Sequence, residues 1–156
     1  MTDKSIRVLN LEGVRIGFKN FAGREGKFNA PGDRNFVAFL DFDKAQELVS
    51  LGWNVKFPDQ PEQDDSGEIV REPYLPIAVS YKHQPPTVYL VDLENNHKTV
   101  LDEATVNLAD STTLITSDLI INASHWAVNG QSGIKAYLKT AYLNIEPSPF
   151  FAKYGF

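Results

Sequence analysis

Residues 19–36, KNFAGREGKFNAPGDRNF, set cations beside flat rings at close spacing. Lys19, Arg24, Lys27 and Arg34 are interleaved with Phe21, Phe28 and Phe36, and only Glu25 and Asp33 oppose them. That mixture suits a single-stranded nucleic acid, which needs charge for its phosphates and ring faces for its bases. Gly23, Gly26 and Gly32 argue against a helix, so the segment reads as a long mobile loop between two strands. Loops of this length inside compact domains tend to be functional. The plainer alternative is a flexible hairpin loop whose phenylalanines tuck into the core. A second basic and aromatic face comes from Lys135, Tyr137 and Lys139, which share one parity of a strand opposite Ile134, Ala136 and Leu138. Arg15 is a further phosphate candidate. Trp126, just ahead of Asn129-Gly130, reads equally as a base-stacking ring or as packing.

No catalytic constellation assembles. The run Gly23-Arg24-Glu25-Gly26-Lys27 has two residues between its glycines and Phe28 after the lysine. A Walker loop needs a longer spacer and a hydroxyl residue there. His83, His97 and His125 are scattered without metal-ligand spacing and read as surface or turn histidines. Asp41 and Asp43 could together hold Mg²⁺ in a nuclease, but helix capping by Asp43 explains them more simply. Neither a cofactor nor a metal is expected, and the chain is not read as an enzyme.

Composition bounds the rest. A chain of 156 residues with 42% hydrophobic and 22% charged side chains is expected to form one globular domain. It has no cysteine, which removes disulfides and thiolate metal sites and fits a cytoplasmic setting. No apolar run approaches ~18 residues, so no membrane span is expected. The net charge of −5 argues against coating polyanions by bulk attraction. The acids are uneven, however: residues 59–68, DQPEQDDSGE, hold five of them and no base. Local sign matters more than the total for a groove that tracks a backbone.

The elements that must position these side chains are mostly strands. Residues 6–18 predict a long strand with Gly13 at a bulge or bend, or alternatively two short strands. Residues 35–40 predict a short apolar strand, and 43–51 a helix capped by Asp43 and stopped by Gly52. Residues 53–57 return as a strand on which Trp53 is favoured as core. The acidic, proline-bearing stretch 58–73 reads as a solvated excursion. A hairpin is expected from 74–82 and 87–91 across Gln84-Pro85-Pro86, with Pro76 marking an edge. A turn at 94–97, a short helix over 102–108 capped by Asp102, and strands over 118–122 and 134–145 complete the set. Asn129-Gly130 is a strong hairpin-turn signal between the last two.

The fold class this predicts is all-β: an OB-fold-like five-stranded barrel with an inserted hairpin and two short helices, spanning 1–146, followed by an aromatic tail over 147–156. In such barrels the first-to-second and fourth-to-fifth strand loops grip nucleic acid. Here those are 19–36 and 123–133. The tail carries Phe150, Phe151, Tyr154 and Phe156, and four rings are unfavourable to leave in water. It is expected to fold back on its own barrel, to dock on a neighbouring subunit, or to meet a replication or recombination protein.

RNF at 34–36, GWNVK at 52–56 and VNGQSGIKAYLK at 128–139 together resemble a family of small phage and prophage single-stranded DNA-binding proteins. The loop pattern is carried by Asn20, Phe21, Gly23, Lys27, Phe28, Asn29, Gly32, Arg34, Asn35 and Phe36, and the likeness runs from about 14 to 145. The resemblance implies an OB fold and a sequence-tolerant, non-catalytic role on single-stranded DNA in phage replication or recombination, within the host cytoplasm. On that reading Arg15, Lys19, Arg24, Lys27, Arg34, Lys135 and Lys139 contact phosphates, while Phe21, Phe28, Tyr137 and Trp126 stack bases. The competing expectation is a non-enzymatic phage assembly protein that uses the same barrel for protein contacts.

Overall fold

The chain opens with two strands, β1 (Val8–Val14) and β2 (Ile16–Asn20), joined by Arg15 alone. Gly13 has a positive φ of 61° and sits in a register shift between Leu11 and Val14, so the long strand is bent at the glycine as its pattern implies. The computed structural model describes residues 5–26, 29–58, 62–63, 69–70, 72–82 and 84–146. Lys27, Phe28, His83, most of the acidic stretch 58–73 and the aromatic tail 147–156 lie outside the described residues.

β3 (Arg34–Phe39) leads into α1 (Phe42–Leu51). The helix is capped by Asp41 rather than Asp43: the Asp41 backbone is extended, and its Oδ1 accepts the Lys44 N–H at 2.7 Å. Gly52 ends it in the left-handed conformation, φ 105°, as expected. The strand expected over 53–57 does not form. Past that cap the chain forms two isolated bridges, Trp53 with Ile134 and Lys56 with Tyr74, while Phe57 packs edge-on against Phe42. Trp53 itself is buried in the core. β4 (Glu62–Gln63) and β5 (Ile69–Val70) make a separate two-stranded ladder.

β6 (Tyr74–Val79), β7 (Thr87–Asp92), β8 (His97–Leu101), α2 (Leu108–Ser111), β9 (Leu114–Val128) and β10 (Gln131–Ile145) complete the chain. β6 and β7 do not pair as a hairpin. Both run parallel to β10, one after the other along the same edge. Pro85 and Pro86 explain this: two residues without N–H donors carry the chain onward rather than back. The hairpin is instead β7–β8, across the turn at 93–96. Pro76 is not on an edge strand, because β6 lies between β3 and β10. It is tolerated because the β10 ladder begins only at Ile77, beyond the proline. α2 starts later than expected, since Asp102 and Thr105 exchange hydrogen bonds that fix a turn in front of it.

β10 organises the main sheet. It pairs with β9 along almost its whole length, and the ladder path runs β1–β9–β10–β6–β3–β2, with β7 beside β10 and β8 beside β7. The fold is thus mostly strand; among the described residues the main sheet has eight strands rather than five, and no ladder closes β1 onto β2. Alternate side chains (Leu75, Ile77 and Val79; Ile134, Ala136 and Leu138) point into one buried core. The segment expected as a loop over 123–133 is mostly ladder: a projecting β9–β10 hairpin turned at Asn129 (φ 52°) and Gly130 (φ 79°).

Candidate nucleic-acid interface

Register alone aligns Asn35, Ala78, Tyr137 and Asn122 in one row across β3, β6, β10 and β9. The neighbouring row, Phe36, Ile77, Ala136 and Ala123, faces the core. Period-two alternation therefore turns the first row outward. Over it lies a groove of about 1450 Å³. Asp33 and Arg34, at the end of the 21–33 loop, form one wall, and Ser124, Trp126 and Lys135 of the hairpin form another. Tyr81 and Lys82, just past β6, close a third side. The two basic and aromatic segments of the sequence thus meet over one surface.

Arg34 is held from several directions. Its Nε donates to the Phe21 carbonyl at 2.9 Å, one guanidinium nitrogen lies 3.6 Å from a Glu103 carboxylate oxygen, and its Cζ stands 5.3 Å from the Tyr81 ring centroid. The Tyr81 hydroxyl is buried without a hydrogen-bond partner. Burial pushes its pKa up; Arg34 opposes the rise while Glu103 and Asp102 add to it. Tyr81 is therefore a neutral phenol at neutral pH and does not repel phosphate. On the hairpin, Trp126 lies against Gly133, where an added Cβ would come within 2.7 Å of the indole. Glycine is what permits the ring to lie flat there. Trp126 remains 43% exposed, and the Lys135 ammonium sits 5.1 Å from the Tyr137 centroid. Lys139 is exposed on β10 beyond the residues that line the groove.

Other expected contacts are engaged elsewhere. Phe21 is fully buried and stacks on Phe36 at 4.9 Å, so it is core and cannot stack a base. The Lys19 ammonium donates to the carbonyls of Ala109 and Thr112, holding the end of α2. Arg15 pairs with Glu72 and lies over the Phe39 ring, away from the groove lining. Arg24 is exposed at the loop, 3.9 Å from Asp110. Lys27 and Phe28 lie outside the described residues.

The described part of the loop is tied together by side-chain hydrogen bonds. Asn20 exchanges bonds with the backbone of Arg24, and Asn29 donates to the carbonyls of Arg24, Ala30 and Asp33. Asn35 donates to Asn29, Gly32 N–H bonds the Gly23 carbonyl, and Asp110 accepts from the N–H groups of Phe21 and Ala22. Tyr81 and Lys82 were missed as groove residues because the alternation of β6 was carried past its end at Val79. Asn122 and Ser124 carry no such signal without the register, and Asn35 enters by sequence only as part of the loop pattern. Among the described residues, no group of three or more His, Asp or Glu is placed to hold a metal ion.

Three solved structures have a similar fold. The C-terminally truncated single-stranded DNA-binding protein from bacteriophage Enc34 aligns with a TM-score of 0.53 at 11% identity, covering 92% of this chain and 88% of that one. A second structure of that phage protein gives 0.52 at 10% identity, covering 92% and 83%. Its complex with ssDNA gives 0.50 at 13%, covering 92% and 89%. A sequence search of curated proteins finds no significant match. The family described as "Putative phage ssDNA-binding domain" matches residues 1–155, nearly the full length, and the chain belongs to that family.

Proposed function

We propose that the groove above Asn35, Ala78, Tyr137 and Asn122 binds single-stranded DNA with little sequence preference. The observation that carries this is the meeting of the two segments over one groove whose lining mixes rings (Tyr81, Trp126, Tyr137) with cations (Arg34, Lys82, Lys135). Rings accept any base, and cations follow the backbone. Lys139 continues that face and Arg24 belongs to the loop that borders it, while Lys27 and Phe28 are proposed as contacts on their sequence alone. Arg15, Lys19 and Phe21 act on the fold instead.

The topology supports an OB-type reading. If β1 and β2 count as one bent strand, the path has five members, β1/β2, β3, β6, β10 and β9, with β7–β8 inserted. The groove then lies between the two loops that bind ligand in such folds. The family supports single-strand binding in a phage setting, and on this reading the protein shields displaced strands during replication or recombination in the host cytoplasm. It works there by occupancy without catalysis, and the four rings of the 147–156 tail suit a protein partner by composition.

The test compares filter binding of single-stranded and duplex DNA of equal length, with tryptophan emission followed in parallel. Trp53 is buried, so quenching reports Trp126. Preference for the single strand with quenching is expected. Equal affinity for both without quenching overturns the assignment in favour of an assembly role.

A further inference from the structure

The outward face of β10 does not end at the groove. Past a register shift between Leu138 and Thr140, Ala141 and Leu143 are buried and Tyr142 turns out. Because β6 and β7 follow one another along the same edge of β10, the surface beside the groove continues onto β7. Register sets Tyr89 opposite Tyr142, and the two rings stack at 5.1 Å with planes 10° apart. From β8, the Lys98 ammonium stands 4.6 Å from the Tyr89 centroid. Val100, opposite Tyr89, is 60% exposed. Exposed Lys139 lies between this cluster and Tyr137. Tyr142 is five positions past Tyr137, roughly 15 Å along a strand. Asp118, opposite Tyr142, is an acid beside the cluster, and its Oδ1 accepts the Gly13 N–H at 2.8 Å.

We propose that Tyr142, Tyr89 and Lys98 form a second nucleic-acid station. A single strand leaving the groove runs along β10 past Lys139, places a base at the Tyr142 end of the ring stack, and sets a phosphate on Lys98. This rests on the groove reading. A single strand fits better than a protein partner because the cluster repeats the groove's pairing of ring and cation on the same face of the same strand.

The test is a length series of oligo-dT on the full chain, wild type against Lys98→Gln and the double variant Lys98→Gln/Tyr142→Leu, with thermal melting recorded for each. Wild-type affinity is expected to rise a second time once the oligomer outgrows the groove. The double variant should lose about tenfold on long oligomers, the equivalent of one weakly stacked base, and less than twofold on short ones. If Tyr142→Leu unfolds the chain, Lys98→Gln, which alters an exposed side chain, carries the same comparison with a smaller loss. Equal loss at every length, no loss at any length, or lost self-association with long-oligomer affinity intact overturns the station. If the wild type binds no short oligomer, the groove reading itself fails.

Discussion

Arg34 and Phe21 show how one stretch of sequence divides between building and binding. Phe21 looked like a stacking ring by composition, yet its side chain fills the core against Phe36. Phe21→Ala should lower stability by about 3–5 kcal/mol, the usual effect of emptying a buried aromatic site. Tyr137→Ala should leave the melting temperature nearly unchanged and weaken single-strand binding by about 1–3 kcal/mol. Thermal melts beside titrations separate the two, and matching losses in both assays would place Tyr137 in the fold instead. The asparagines were legible as loop residues but not as the ties that hold the loop, because their partners are backbone groups and, for Asn35, the side-chain oxygen of Asn29, which no spacing reveals. Arg34 was legible as a cation, whereas its ion pair was not, since Glu103 lies far along the chain. That carboxylate lies 3.6 Å from the guanidinium, and on the proposed reading it yields to phosphate. Glu103→Gln should therefore tighten binding severalfold, and the gain should vanish in an Arg34→Gln background. A gain that persists without Arg34 would reflect net charge alone.

The projecting hairpin is the element on which the interface depends most directly. Its turn was readable because Asn-Gly suits positive φ at both central positions, and the observed angles agree. Its length was not, because the polar residues near the tip resemble a loop until β9 and β10 are seen to pair throughout. Trp126 and Gly133 sit opposite one another in that ladder. Gly133→Ala places a methyl group where the indole lies, so the ring must swing away. The expected result is a shifted tryptophan emission and weaker single-strand binding, at about 1–3 kcal/mol of stability. Unchanged emission would mean that the backbone yields instead. The β7–β8 turn carries a pH dependence. The side-chain amide of Asn95, at 2.7 Å, holds the Asp92 carboxyl below its ordinary value, with the Asn95 and Glu94 N–H groups adding to the effect and burial opposing it. A depressed carboxyl stabilises the fold above the ordinary value of about 4, and that contribution is lost as pH falls through the folded value. Melting temperature should drop more steeply below pH ~4 in wild type than in Asp92→Asn. Parallel curves would mean that another carboxylate governs acid unfolding.

For the molecule as a whole, the sequence revealed strand content, the main turns and the two segments that meet, because alternation and turn chemistry are local. It hid the placement of β6 and β7 along one edge of β10, which is a long-range pairing. The net charge was a weaker guide than the local arrangement. At −5 the chain as a whole repels a polyanion, but that repulsion is screened over about 10 Å at 0.1 M salt. In the proposed complex, Arg34, Lys82 and Lys135 in the groove, with Lys139 and Lys98 farther along, act at contact distance. These opposing effects predict different salt responses. Bulk repulsion weakens as salt rises, which flattens or reverses the slope of log affinity against log salt. Direct phosphate contacts release counterions, at about −0.7 per phosphate on a single strand. If about four phosphates are engaged, the wild-type slope should lie near −3, and Lys135→Gln should make it shallower by about 0.7. A flat or rising wild-type slope would show that stacking holds the strand while the cations stay in water.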